Sequence, residues 1–181
     1  MKIVQPIRDK KIIDKFKNEL MKKDYKYYMM FVMGINTGLR ISDILNLKVA
    51  DVKDKSHITI IEKKTGKAKR FLINVPLRKE INSFIDGMLE EEYLFQSRKG
   101  TNKPITRIQA YRVLNEVADK LKIEEVGTHT LRKTFGYWHY KQHQDVAILQ
   151  EIFNHSAPSI TLRYIGITSD NIDKTIEEFY L

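Results

Sequence analysis

Residues 25–43 read Tyr-Lys-Tyr-Tyr-Met-Met-Phe-Val-Met-Gly-Ile-Asn-Thr-Gly-Leu-Arg-Ile-Ser-Asp. From Tyr25 to Ile35 the run is nearly all apolar, so it leaves no solvent face and predicts a helix inside the core. Thr37-Gly38 ends it, because glycine accepts the left-handed backbone that closes helices. A short helix then starts near Arg40, with Ile41, Ile44, Leu45 and Leu47 on its apolar side and Arg40 and Asp43 on one flank. A buried helix thus delivers an arginine to the edge of the core. Taken alone, that arginine is expected to pair with Asp43 at the surface.

On the N-terminal side, Ile12, Ile13, Phe16 and Leu20 recur at helical spacing through a lysine-rich segment, which predicts a surface helix. On the other side, His57–Ile61 and 70–75 flank Thr65-Gly66 and read as a β-hairpin, closed by Pro76. Residues 77–89 predict a helix, Tyr93-Leu94-Phe95 a brief apolar patch, and 96–103 a polar loop. Thr106 and Gln109 form a capping box, and Ile108, Tyr111, Leu114, Val117, Ala118 and Leu121 then mark a face assigned to the core. A helix opening at His129-Thr130 should bury Leu131, Phe135 and Trp138, and Val146, Leu149, Ile152 and Phe153 mark the next. Two short helices finish the chain, one over 158–164 and one after Ser169-Asp170 with Ile172, Ile176 and Phe179 on one side. The fold class is mainly α with a small antiparallel β-sheet.

At 181 residues the chain suits one domain, residues 1–181, with neither an internal repeat nor a dividing linker. A hydrophobic share of 42% excludes disorder as the main state. The absence of cysteine removes disulfides, thiolate metal sites and thiol catalysis. Residues 1–6 carry no signal-like apolar run, and the longest apolar stretch, 27–33, is too short to span a bilayer, so the expected location is the cytoplasm. The net charge is +9, and up to Tyr164 the balance is 31 basic against 19 acidic residues. Such a body favours polyanionic partners.

Five polar clusters invite a chemical reading: residues 37–40, the lysine hairpin, residues 129–132, residues 154–156, and Arg163-Tyr164. Each is weak alone. A His-x-x-Arg pair puts both side chains on one helical face, suited to a phosphate, but solvated helix termini carry such pairs by chance. Hairpin lysines commonly serve solubility. His139 and His143 have zinc-like spacing without a third ligand, so no metal is expected. Gly34, Gly38 and Gly66 make no phosphate-cradling loop, so no nucleotide cofactor is implied. Trp138, Tyr25, Tyr27 and Tyr28 have apolar neighbours and are assigned to packing.

The order and spacing of these pieces resemble the catalytic domain of the tyrosine recombinase (phage integrase) family, from about Ile12 to the C-terminus. The matching elements are Thr-Gly-Leu-Arg-Ile-Ser-Asp at 37–43, Lys-Thr-Gly at 64–66 between two strands, His-Thr-Leu-Arg-Lys-Thr-Phe at 129–135, and His155 nine residues before Tyr164. By that resemblance Arg40, Lys64, His129, Arg132 and His155 would surround a scissile DNA phosphate, and Tyr164 would be the nucleophile. Lys64 would protonate the leaving 5′ oxygen, with Lys67 as substitute. Lys63, Lys67, Lys69, Arg70, Lys133 and Arg163 are expected to contact double-stranded DNA. Members usually have Leu-Gly before the second histidine, where this chain has Phe153-Asn154, and often His where it has Lys133. Relatives commonly add an N-terminal DNA-binding domain. The 39 residues before Arg40 suffice only for the first helices of the catalytic domain.

The chemistry suits these residue types. Attack on a phosphodiester builds negative charge on its non-bridging oxygens, and two guanidiniums answer it with fixed donors and no metal. A tyrosine with pKa near ~10 is ionised to roughly one part in a thousand at neutral pH, so a base such as His129 must take its proton. The family resemblance also implies a tail helix, within 169–181, that docks on a neighbouring protomer in a tetramer on DNA; packing in cis is the alternative. Competing functional readings are a nicking and resealing enzyme of type IB topoisomerase character and a catalytically silent DNA-binding module.

Overall fold

The structure, a computed structural model, describes residues 4–61, 68–177 and 179–180. Its elements in chain order are α1 (Lys10–Lys23), α2 (Tyr25–Thr37), α3 (Ile41–Leu45), a 3₁₀ turn (Val49–Asp51), β1 (His57–Ile61), β2 (Ala68–Leu72), α4 (Val75–Ile85), α5 (Arg107–Lys120), α6 (Thr130–His143), α7 (Val146–Phe153), α8 (Pro158–Tyr164) and α9 (Ile167–Glu177). Helices dominate, and the strands form one antiparallel pair in which His57 faces Leu72 and Ile61 faces Ala68. This is the expected fold class.

Helix α2 is the axis of the larger core. Asp24 ends α1 and caps α2, its carboxylate accepting from the Lys26 amide, so two helices are joined without a loop. Phe16 and Phe31 then stack face to face, with centroids 5.3 Å apart. Met29, Met30 and Met33 are fully buried, and α1, α4 and α6 pack around α2. Tyr25, Tyr27, Tyr28 and Trp138 lie half-buried at the edge of this core, as packing residues.

A second, smaller core gathers Tyr137, Leu149, Phe153, Ile165 and Ile167, with Phe135 and Tyr164 against it. Helix α6 belongs to both cores, and the polar residues of interest lie along their seam.

Several boundaries differ from the sequence expectation. Strand β2 is 68–72, so Lys69 and Arg70 lie in the strand and 73–75 lie beyond it. Asn74 caps α4, accepting from the Leu77 amide at 3.0 Å, and the helix ends at Ile85 ahead of the turn at Gly87, not at residue 89. Thr106 caps α5 as expected, but Gln109 turns its amide to the Tyr27 hydroxyl, so the box is half-formed. Ile108 and Tyr111 are 63% and 44% exposed; the buried stripe of α5 runs through Ala110, Val113, Leu114 and Val117 instead. Helix α9 begins at Ile167, so Ser169 and Asp170 lie in its first turn and do not precede it.

Candidate active site

Gly38 closes α2 at φ +66°, and a side chain there would collide with the Phe135 ring, so the residue answers both to the turn and to the approach of α6. Two residues on, Arg40 occupies the extended position that starts α3, and its side chain is exposed. Among the described residues Arg40 makes no ion pair with Asp43, contrary to the surface-pair expectation. The field of Asp43 acts on Arg132.

Arg132 is the anchor of the seam. It is 5% exposed, and its guanidinium donates to the carbonyl of Gly38 in the larger core and to that of Phe153, at 3.2 Å, in the smaller one. The Phe153 ring lies 4.4 Å beneath it. Burial lowers its pKa to about 10, leaving it charged at neutral pH. It also makes a side-chain hydrogen bond with Tyr164, the phenol oxygen accepting.

His129 precedes the first residue of α6, held by a turn in which the Gly127 amide donates to Thr130 Oγ1 at 3.0 Å. Burial, then the charges of Lys133 and Arg132, lower the pKa of this imidazole. It is therefore neutral at pH 7 and able to accept a proton. His155 follows Asn154, which takes a left-handed conformation (φ 56°, ψ 47°) at the end of α7. Asparagine can stand in for glycine there because it tolerates that region. The Nδ1 of His155 meets Thr161 Oγ1 at 3.0 Å, and burial followed by Arg132 lowers its pKa too.

Tyr164 is the last residue of α8. Its hydroxyl lies 3.4 Å from His129 Nδ1, and its ring meets Phe153 and His155 edge-on at 5.4 and 5.1 Å. Burial raises its pKa, while the positive charges of Arg132 and Arg40 oppose that rise. Arg40 acts on His129, Arg132, His155 and Tyr164 alike, which places these five residues in one electrostatic neighbourhood.

Lys63, Lys64 and Lys67 lie outside the described residues. Lys69 donates to the carbonyls of Glu151 and Ile152, at 2.6 and 3.1 Å, where α7 ends. Arg70 reaches His57 Nδ1 at 3.1 Å, and Arg163 is exposed. Lys133 donates to the Val4 carbonyl at 2.6 Å and lies 5.1 Å over the Tyr164 ring. Periodicity places Phe153 in the packing of α7 and gives Thr161 no role, yet both touch the polar cluster. The one available signal was their place beside Asn154-His155 and Tyr164.

Beside His129 a cleft of about 340 Å³ is lined by Arg107, Ile108, Tyr111 and Thr128. A roomier groove of about 700 Å³, between α1, α2 and α6, shares no residue with the polar cluster.

A helical fold of this topology, with its two-stranded sheet, is that of a tyrosine recombinase catalytic domain. Residues 8–170 match the phage integrase family, and the chain belongs to it. It is 53% identical over 170 residues to the probable integrase/recombinase YoeC of Bacillus subtilis, covering 94% of this chain and 93% of that one. Tyrosine recombinase XerA of Pyrococcus furiosus is 29% identical over 82% of this chain, and XerH of Campylobacter jejuni 26% over 90%. The chain spans about half the length of those two, 53% and 48%. Among solved structures, XerA recombinase superposes with a TM-score of 0.74 at 21% identity, over 99% of this chain and 67% of that one. The Tn1549 transposon integrase in complex with circular intermediate DNA gives 0.69 at 19%, over 88% and 60%. Among the described residues no helix is long and apolar enough to cross a membrane.

Proposed function

We propose that this chain breaks and rejoins DNA in site-specific recombination, through a covalent tyrosine intermediate, in the cytoplasm. The Tyr164 oxygen attacks the scissile phosphorus as its proton passes to His129. A tyrosyl O–P bond forms, the P–O5′ bond breaks, and the strand ends as a 3′-phosphotyrosyl enzyme and a free 5′ hydroxyl. Arg40 and Arg132 neutralise the charge that grows on the non-bridging oxygens, and His155, its Nδ1 turned to Thr161 Oγ1, adds one N–H donor from its other ring nitrogen. By family resemblance, Lys64 gives the leaving oxygen its proton. The phosphotyrosyl bond conserves the energy of the phosphodiester, so attack by a 5′ hydroxyl reseals it without ATP, and the guanidiniums supply the charge that a metal otherwise brings.

The observation that carries this reading is the Tyr164 hydroxyl 3.4 Å from the His129 imidazole, beside a buried guanidinium. Lys63, Lys67, Lys69, Arg70, Lys133 and Arg163 would track the flanking backbone, giving binding that weakens steeply with salt. Ile172, Ile176 and Phe179 are 53%, 62% and 66% exposed, which supports docking on a neighbouring protomer in a tetramer over packing in cis.

The experiment is incubation with a nicked suicide duplex in EDTA, followed by denaturing electrophoresis. A denaturant-resistant protein–DNA band that Tyr164→Phe abolishes supports the reading. Adduct formation by Tyr164→Phe, or a requirement for added metal, overturns it. Supercoil relaxation without strand exchange would favour nicking and resealing.

A further inference from the structure

The segment before α1, residues 4–9, lies as a strap across α6 and reaches both flanks of the Tyr164 segment. The Ile7 amide donates to Thr134 Oγ1 at 2.9 Å, and Trp138 Nε1 donates to the Ile7 carbonyl at 2.9 Å. The Gln5 amide donates to the Glu125 carbonyl at 2.9 Å. Ile7 is 4% exposed, so the strap is part of the packed structure.

From this strap Arg8 extends to the turn that follows the tyrosine. Its Nε donates to Asp170 Oδ1 at 2.9 Å, and a terminal nitrogen reaches the same oxygen at 2.9 Å. The guanidinium also contacts the Gly166 carbonyl at 3.5 Å and Gln5 Oε1 at 3.2 Å, and lies 5.5 Å over the Tyr137 ring. Gly166 has φ +85°, and a side chain there would come within 2.5 Å of the Arg8 guanidinium. Arg8 thus meets the turn two residues past Tyr164 at the Gly166 carbonyl and at Asp170. On the other flank, Lys133 links the Val4 carbonyl of the same strap to the Tyr164 ring.

We propose that Arg8 is a positioning residue for Tyr164: by clamping Asp170 and the Gly166 carbonyl it fixes the turn between α8 and α9, and with it the direction of the phenol. This rests on Tyr164 being the nucleophile. Arg8 itself touches no reacting atom in this arrangement. A half-buried pair in which two guanidinium nitrogens share one carboxylate oxygen reports on orientation more than on bulk stability, because a misplaced nucleophile loses rate steeply with distance. Arginine is needed for the planar fork; lysine at position 8 could keep the Asp170 pair but not the second contact.

Two measurements test this. In the first, 3-fluorotyrosine is placed at position 164 and its ¹⁹F resonance is compared in otherwise wild-type protein, Arg8→Gln, Asp170→Asn and the surface control Lys22→Gln. Arg8→Gln and Asp170→Asn should shift and broaden the resonance, and Lys22→Gln should leave it in place. A resonance unchanged by Arg8→Gln overturns the proposal, whether or not any variant is active. In the second, single-turnover adduct formation at saturating suicide duplex is measured for proteins of matched thermal unfolding. Arg8→Gln and Asp170→Asn should slow it by about tenfold or more with DNA affinity unchanged, and the exchange Arg8→Asp with Asp170→Arg should restore part of the rate. Loss of affinity with an unchanged saturated rate would make Arg8 a phosphate contact and overturn the proposal. Absence of any adduct in the wild type would sink the nucleophile assignment, while the ¹⁹F comparison still decides the role of Arg8.

Discussion

The hydroxyl of Tyr164 lies 3.4 Å from Nδ1 of His129, a contact between residues 35 apart in sequence, at the seam of two hydrophobic cores. Because the imidazole pKa is lowered by burial and by neighbouring cations, the group proposed as proton acceptor is already deprotonated at neutral pH.

The rate of adduct formation should therefore hold steady from pH 8 down to about 6.5 and fall as the pH drops through the lowered folded pKa of His129. His129→Gln should cost about a hundredfold in rate and remove the acid limb of the profile. The same shift carries a stability consequence. The folded state binds fewer protons than the unfolded chain in this window, so the contribution is complete above the unfolded value near ~6.5 and is lost as pH falls through the folded one. Denaturant midpoints across pH 5 to 8 check the sign.

Arg132 should matter to the fold as well as to the chemistry. Its guanidinium serves the carbonyls of Gly38 and Phe153 in the interior. Arg132→Lys can satisfy only one of them well, leaving a buried acceptor unpartnered at about 1–3 kcal/mol. Urea unfolding should show that loss, and the adduct should be lost with it. Arg40, exposed, should lose rate on Arg40→Lys with an unchanged unfolding midpoint.

Replacing the leaving 5′ oxygen of the substrate by sulfur distinguishes the two candidate proton donors of the hairpin. A thiolate with a pKa near ~8.5 leaves without a proton. Lys64→Ala should be slow on the natural linkage and restored on the sulfur-bridged one, whereas Lys67→Ala should be little affected on either. The reverse pattern would transfer the role to Lys67.

Truncation after Asn171 keeps Asp170 and its pair with Arg8 but removes Ile172, Ile176 and Phe179. The shortened protein should still form the adduct with Tyr164 on a single site. It should fail to self-associate on DNA, as read by sedimentation of the complexes. Unchanged self-association would refute tail docking.

Much of this site was legible because it depends on residue types at fixed spacing: Arg40 after a helix-ending glycine, His129 and Arg132 on one helical turn, Tyr164 nine residues past His155. What periodicity could not show is how wide a stripe its neighbours cover. Ile108 and Tyr111 share the apolar spacing of α5, yet lie past the edge of the packed surface, near His129. Nor can local signals reveal contacts made across the whole chain. Ser169-Asp170 has the composition of a helix cap, but Asp170 is drawn into the first turn of α9, where it meets Arg8 from 162 residues away. Phe153 looked like an ordinary core residue because its second role, as the floor under Arg132 and the wall beside Tyr164, exists only once α6, α7 and α8 are assembled.

Mapping the covalent bond itself is the most direct measurement. After reaction with a suicide duplex, nuclease trimming and proteolysis, mass spectrometry should find the nucleotide remnant on the peptide that contains Tyr164 and on none holding the other tyrosines. A remnant on any other residue, or an adduct that persists in Tyr164→Phe, would contradict the assignment of this phenol as the group that takes the phosphate.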